Sequence, residues 1–474
     1  MNEISVSREG YNNEDLEISY PKKIMASYAF GNFMWEFIEG VIVILVFFFY
    51  EAELGLSSAL TALGFIIFAI WNGLNDPLLG YLTDRPNRLT KRWGRRFPWM
   101  IITFIPWLIC FFLIFSPPNV NPKENPWLLF GWLVITTCAF DTFFSIWYVS
   151  YGSLFPDKFR IRSERLTAAG ITTYVGFFGL VLGFLMPPSI IIYGQISSYI
   201  FLVLICIIIS IAAMIIMIPG IKEDKRMVDI FLTKYEEKKQ KENVYLSFKE
   251  VLKHKNFMAF ITFFLLYQSL TIMMTSSFMY FVRYVIKAEA YVATFIMAMF
   301  LIGGLVALPF WLKYSNKTKD YRKTIIIASL VMIIFAIPLT FLTDLTLILI
   351  TMILFGVGVG GVWIMISPIH GDIIDESVSI FEKRREGLYG GFRYFSGRIA
   401  MVVQAVTFAI VHISTGFVEG GNTQTSLAIL GIQLHTGIIP AILMLIGTLI
   451  FWKFYDITPH KAEKIKDRLK ELKL

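Results

Sequence analysis

The chain has 474 residues, of which 56% are apolar, 16% aromatic and only 16% charged, with a formal net charge of +8. A mean hydropathy of +0.63, with a charged fraction well below the about 25% usual for soluble domains, excludes a soluble globular protein and points to a polytopic membrane protein. The excess Lys and Arg gather in short loops rather than in one basic patch, so nucleic acid is not an expected partner.

Residues 1–23 are polar and of mixed charge, with no apolar core bounded by a cleavage site, and read as a cytoplasmic tail rather than a signal peptide. Twelve apolar runs follow, each near the ~20 residues needed to cross a bilayer. They lie at 24–50, 58–83, 98–116, 127–154, 167–193 and 197–219, then at 256–285, 288–312, 324–342, 346–369, 387–415 and 431–455. The longest predict tilt or kinks rather than additional spans. The expected organisation is a bundle over 24–220, a cytoplasmic loop over 221–255, a second bundle over 256–456 and a tail over 457–474. Within the loop, Lys234–Asn243 reads as a solvated helical linker without chemistry. In the tail, the alternation of Lys, Glu and Leu from His460 onward suits an amphipathic helix near anionic headgroups. Cys110, Cys138 and Cys206 fall inside spans, which suggests no disulfide framework.

Loop charge sets the orientation. Arg85, Arg88, Lys91, Arg92, Arg95 and Arg96 follow span 2, and Lys158, Arg160, Arg162 and Arg165 follow span 4. Lys313, Lys317, Lys319, Arg322 and Lys323 follow span 8, and Lys383, Arg384 and Arg385 follow span 10. Loops on the other side are nearly neutral. The positive-inside rule then places both termini in the cytoplasm of a cell-membrane protein.

Span 2 holds the most informative residue. Asp76 lies in an otherwise apolar helix, where an acid costs about 2.5–3.5 kcal/mol on insertion scales. It is either an ion or substrate ligand, or an acid paired for packing. Asn72 shares its face at i, i+4 and Asn75 adjoins it, so three oxygen-bearing side chains lie within one turn. That arrangement suits a cation.

Six spans, a central loop and six more spans resemble the major facilitator superfamily, and the loop Gly80-Tyr-Leu-Thr-Asp84-Arg85-Pro-Asn-Arg88 resembles its signature between spans 2 and 3. A closer resemblance is to the glycoside–pentoside–hexuronide:cation symporters. It is carried by Ala29–Phe37 in span 1, Asn75-Asp76-Pro77-Leu-Leu-Gly80 in span 2, Arg92-Trp-Gly-Arg-Arg-Phe-Pro-Trp99 beyond it, Ser153-Leu-Phe-Pro156, and Gly371-Asp372-Ile-Ile-Asp375 with Lys383–Gly387. The resemblance implies an all-α membrane protein with the major facilitator fold, twelve transmembrane helices in two six-helix bundles. It also implies a cation-coupled symporter acting by alternating access, with no cofactor, a small-molecule solute and membrane lipids as partners, and a monomer as the expected state.

The same resemblance implies a cation site at Asn72, Asn75, Asp76 and Ser145. The family's first span-2 carboxylate corresponds to Asn72, so Asp76 is read as the one carboxylate present. Loss of a buried negative charge weakens a hard monovalent cation, whereas a proton needs only Asp76. The coupling ion is therefore H⁺ or Na⁺, with Na⁺ held at Asp76 in the latter case, and H⁺ is the favoured reading.

For the substrate, the resemblance points to Glu36 in span 1, Arg398 in span 11 and Trp363 in span 10. An intramembrane Arg is rarely idle, although a bridge to an acid of the other half is its structural alternative. Departures are informative. Tyr148 stands where the family's sugar permeases have an acid, Gly152 where they have a stacking Trp, and Ile171 or Thr172 where they have an Arg. Sugar hydroxyls are held by such charged partners, so an ordinary galactoside is not expected. Aromatic residues replace them, Trp35, Phe144, Tyr148 and Tyr394 among them. They suit either a sugar ring or an amphiphile such as a lysophospholipid, which the wider resemblance also covers.

Gating residues are expected at Asp84, Arg85 and Arg88, and at Arg162 and Arg165 opposite Asp372 and Asp375. Glu39 and Asp141 are further intramembrane acids, the first beside the cavity and the second a turn from Ser145. A non-transporting sensor with this fold is the reading from another class. An enzyme is not expected, because no span pairs a nucleophile with a His base, and His370 and His412 read as isolated.

Overall fold

A span must satisfy its backbone N–H and C=O groups internally, so apolar runs of this length become helices. The computed structural model describes residues 19–83, 90–224, 228, 251–381 and 386–471, and within its helices the side chains of Asp76, Pro77, Gly80, Tyr81, Leu82, Lys91, Arg92, Arg162 and Glu386 fall outside the description. Among the described residues, 12 helices are long and apolar enough to cross a membrane. They are α1 (Lys22–Phe48), α2 (Ser58–Thr83), α3 (Phe97–Ile114), α4 (Pro126–Lys158), α5 (Arg162–Ile190) and α6 (Ile196–Ile221), then α7 (Lys255–Tyr280), α8 (Tyr291–Thr318), α9 (Tyr321–Ala336), α10 (Leu345–Phe381), α11 (Glu386–Thr415) and α12 (Ser426–Phe454). A last amphipathic helix, α13, covers Pro459–Glu471.

Successive spans alternate in direction. Residues 19–22 and α13 therefore share one side, the terminal face, and the turns after α1 and α7 lie on the opposite, far face. Both of those helices end in a π-helical turn, Phe49–Glu53 and Phe281–Ile286. Within the first half α1 packs on α5 and α6, while α2 and α3 pack on α4. In the second half α7 packs on α12, and α8 and α9 pack on α10. The halves meet along α1–α7, α2–α11 and α5–α8.

Small residues permit the closest of these contacts, as expected where lipid supplies no hydrophobic drive between helices. A Cβ on Gly179 or Gly183 of α5 would collide with the α1 carbonyls of Phe33 or Phe37. Gly356 and Gly360 of α10 meet the α8 carbonyls of Phe300 and Gly304 in the same way.

Two expectations change here. α10 continues to Phe381, so Asp372 and Asp375 stand on a helix rather than in the loop after a shorter span. The closing helix does more than lie beside headgroups. Ile465 is buried, and Lys461 reaches Glu376 of α10 at 2.6 Å. The linker Lys234–Asn243 lies outside the described residues.

Candidate functional site

A cavity of about 1,090 Å³ lies between the halves. It runs from Glu39 and Arg398 at mid-depth to Gly387 and Gly391 at the terminal end of α11. Toward the far face the halves are bonded together. Arg283 pairs with Glu53 at 2.8 Å, Ser58 donates to Glu419 at 3.2 Å, and Ser276 donates to the Val43 carbonyl at 2.7 Å.

Arg398 sits at the sealed end of the cavity. It donates to Glu39 at 3.2 Å, a bond from α11 to α1 that joins the halves inside the cavity. Its guanidinium also lies 5.8 Å from the Trp35 ring centroid, within cation–π range. Trp35 stacks on Phe144 at 4.6 Å and on Tyr148 at 4.8 Å, so α1 and α4 present one aromatic plate. Tyr394 meets Tyr148 edge-on at 6.5 Å from the other half. Trp363 faces the cavity from α10, held between Phe177 and Phe300. Thus Trp35, Glu36, Phe144, Tyr148, Trp363, Tyr394 and Arg398 all line one space. Arg393 and Gln268, which the sequence reading did not single out, line it too. Arg393 was legible only as a second cation five residues before Arg398.

Behind the aromatic plate lies a buried polar knot. Asp141 of α4 is buried and accepts from Asn72 Nδ2 at 2.7 Å and from Asn75 Nδ2 at 3.4 Å. Ser145, one turn along α4, is buried as well. The Asp76 side chain lies outside the described residues. To the carboxylate expected at Asp76 the structure adds another acid, Asp141, on the two carboxamides assigned to the cation site. A buried carboxylate demands partners, and the Asn72 and Asn75 amides are two of them. A narrow apolar pocket lined by Glu39, Phe140, Asp141 and Arg398 adjoins this knot.

The gating residues are only partly visible. Asp84, Arg85 and Arg88, and the side chain of Arg162, lie outside the described residues. Arg165 is exposed and donates to the Phe159 carbonyl of its own half at 2.8 Å. Asp372 and Asp375 are half-buried at the terminal end of α10.

The reading of His412 as isolated is overturned. Its Nδ1 lies 2.9 Å from Glu51 and its Nε2 lies 3.1 Å from His435. Glu51 falls at the very end of its apolar run and His435 inside another, and an acid and a histidine at such positions were the available signal.

A two-bundle helical protein with a central cavity, sealed on one side, defines a membrane transporter rather than an enzyme. The chain belongs to the MFS/sugar transport protein family, whose model matches residues 27–459. It is 26% identical to the uncharacterized symporter YnaJ of Bacillus subtilis (strain 168), over 96% of this chain and 95% of that one. It is 22% identical to the isoprimeverose transporter of Lactiplantibacillus pentosus over 98% of each chain. With the sodium-dependent lysophosphatidylcholine symporter 1-A of Danio rerio it shares 21% identity over 83% of this chain and 78% of that one. Its fold is that of the D-xylose-proton symporter crystal structure, with a TM-score of 0.63 at 14% identity, covering 92% of this chain and 98% of that one. The expected major facilitator fold is thus the observed one.

Proposed function

We propose that the protein is a cation-coupled symporter that carries one glycoside-like solute with one Na⁺ by alternating access. The observation that carries this reading is the Arg398–Glu39 bond, made between the halves inside the cavity and one helix away from the Asp141–Asn72–Asn75 knot. A charged pair in that position is expensive and repays its cost when a polar solute exchanges partners with it.

Na⁺ is favoured over H⁺ because Asp141 adds a carboxylate against Asn72 and Asn75, the sequence neighbours of Asp76. The Asp141 carboxylate, the Ser145 hydroxyl and carboxamide oxygens turned inward would replace the hydration shell of a hard cation, and each added negative charge favours it strongly. For the solute, the plate formed by Trp35, Phe144 and Tyr148 suits the apolar face of a sugar ring. Glu36, Gln268 and Ser367 on the same walls suit its hydroxyls. This agrees with the resemblance to the glycoside–pentoside–hexuronide symporters, melibiose permease among them. One observation favours an amphiphile instead: the cavity exceeds the about 300–1,000 Å³ of ordinary ligand pockets, and aromatic side chains from both halves face it. A lysophospholipid would place its phosphate on Arg398 and its chain along those rings. With both termini in the cytoplasm of a cell membrane, the present state is inward-facing.

Uptake by the purified protein in proteoliposomes tests the reading. A panel of glycosides, uronides and lysophospholipids is offered under imposed Na⁺ or H⁺ gradients. Accumulation driven by the Na⁺ gradient is expected, and Asp76→Asn or Asp141→Asn should abolish it. Uptake indifferent to both gradients would remove the coupling claim, and binding without uptake would favour a sensor.

A further inference from the structure

At the far face, Glu51 of the π-helical turn that ends α1 is wholly buried, as are Tyr280, His412, His435 and Ser277 around it. Glu51 accepts from the Tyr280 hydroxyl at 2.5 Å and from His412 Nδ1 at 2.9 Å. His412 Nε2 faces His435 Nε2 at 3.1 Å, and His435 Nδ1 faces the Ser277 hydroxyl at 2.7 Å. The Ser277 oxygen is also 2.6 Å from the Met273 carbonyl. Glu51 belongs to the first half and every other member to the second.

Counting hydrogens along this chain gives two arrangements. In one, Ser277 donates to His435 Nδ1, His435 donates from Nε2 to His412, and His412 donates from Nδ1 to Glu51. Both rings are then neutral and the cluster carries one negative charge. In the other, Ser277 donates to the Met273 carbonyl and His435 donates from Nδ1 to Ser277. His412 then donates from both nitrogens, one to His435 and one to Glu51, and the net charge is zero. The two arrangements differ by one proton, and only the second keeps the Ser277–Met273 bond together with every contact of the rings and Glu51.

We propose that this cluster is a proton site built across the two halves, and that the far face closes with uptake of one proton. A net charge with no water around it is costly, and the added proton removes it. Arg283, three residues beyond Tyr280, is already committed elsewhere. It is engaged by Glu53, which also accepts from Tyr199 at 2.9 Å. Glu419 is engaged by Ser58, and the Tyr284 hydroxyl donates to the Gly421 carbonyl at 2.9 Å. When the face opens, Glu51 leaves His412 and both enter water. There the two groups are solvated apart, and the proton that the closed cluster shares between them is released to water. Alkaline conditions therefore favour the open far face. The site is distinct from the Asp141–Asn72–Asn75 knot and rests on the alternating-access reading alone.

Spin labels at Lys123→Cys and Thr343→Cys, in far-face loops of the two halves, test it in lipid nanodiscs on a background lacking Cys110, Cys138 and Cys206. Inter-label distances are recorded from pH 6 to pH 9, without solute and then with Na⁺ and the uptake panel. The open-to-closed ratio should rise by up to about tenfold per pH unit, the slope of one proton. In Glu51→Gln the face should stay closed at every pH, because the amide mimics the neutral cluster. His412→Gln should likewise lose the pH response. Distances that move with Na⁺ or solute but not with pH would overturn the proton site alone, as would a pH response surviving in both variants. Distances fixed under every condition would overturn it together with alternating access.

Discussion

Two buried carboxylate–histidine clusters stand at opposite ends of this protein and are wired differently. At the terminal end, Glu376 of α10 accepts from His254 at 2.8 Å and from Asn256 at 2.7 Å, and Lys461 of α13 reaches it at 2.6 Å. None of these belongs to the first half. At the far end, Glu51 of the first half meets Tyr280 and His412 of the second. The first cluster includes a lysine whose charge is fixed at ordinary pH. The second, among the described residues, pairs its carboxylate with a phenol and an imidazole instead. A contact inside one rigid bundle gains from being permanent, whereas a contact between bundles must break in each cycle. The same side-chain chemistry thus serves as a clamp in one place and a joint in the other.

The contrast can be broken most forcefully at the clamp. Glu376→Ala removes the acceptor of His254, Asn256 and Lys461, and stranding buried partners costs about 3–5 kcal/mol. Thermal unfolding in detergent should show a large drop in stability, with the far-face pH response intact in the folded fraction. Glu51→Gln should lower stability far less, since each of its hydrogen bonds is worth only about 0.5–1.5 kcal/mol net. Equal losses at both sites would erase the distinction.

Arg398→Ala comes next. It removes the bond to Glu39 and the contact with Trp35, and a charged hydrogen bond contributes about 1.5–3 kcal/mol. Solute uptake at subsaturating concentration should fall by at least tenfold, with unfolding little changed. Arg283→Ala should loosen the far face without touching the proton site. A loss of about 1–2 kcal/mol corresponds to a 5–30-fold larger open fraction, read from the same inter-label distances and at every pH alike.

The smallest effect concerns the docking of α13. Burial alone would push Asp456 up, but hydrogen bonds from Lys461 and Asn256 outweigh it and hold the carboxyl below its usual range. Burial would likewise lower Lys461, and its bonds to Asp456 and Glu376 raise it instead. A depressed acid stabilises above its unfolded value near 3.9 and loses that contribution as pH falls through the folded value. A raised amine stabilises below its unfolded value near 10.4 and loses that contribution as pH rises through the folded one. Amide protection over residues 459–471 should therefore be flat near neutrality and decline only at the two extremes.

The two ends also differ in how far the sequence disclosed them. Twelve apolar runs sufficed for the spans, because hydrocarbon leaves the backbone few alternatives to a helix. The cavity wall was legible at Glu36 and Arg398, since charges inside spans stand out, and at Trp35 and Trp363 through family resemblance. Asp141 was visible as an acid, but its meeting with Asn72 and Asn75 depends on how α2 and α4 face one another, which periodicity does not fix. Glu51, His412 and His435 lie 361 and 23 residues apart along the chain. Each by itself resembles a rim residue, and only the closed far face brings them into contact. The extent of α10 was underestimated because polar residues from His370 onward end the apolar signal while the helix continues on protein contacts.

Coupling between the polar knot and the cavity is the centre of this account, and equilibrium binding tests it without requiring transport. Affinity for the solute identified by the uptake panel is measured with and without saturating Na⁺, in the wild-type protein and in Asp141→Asn. Na⁺ should tighten binding in the wild type by about 5–150-fold, the usual span of a coupling free energy. The variant should bind at the Na⁺-free affinity under both conditions. An equal Na⁺ effect in the two proteins, or none in the wild type, would contradict the assignment of the cation to this knot.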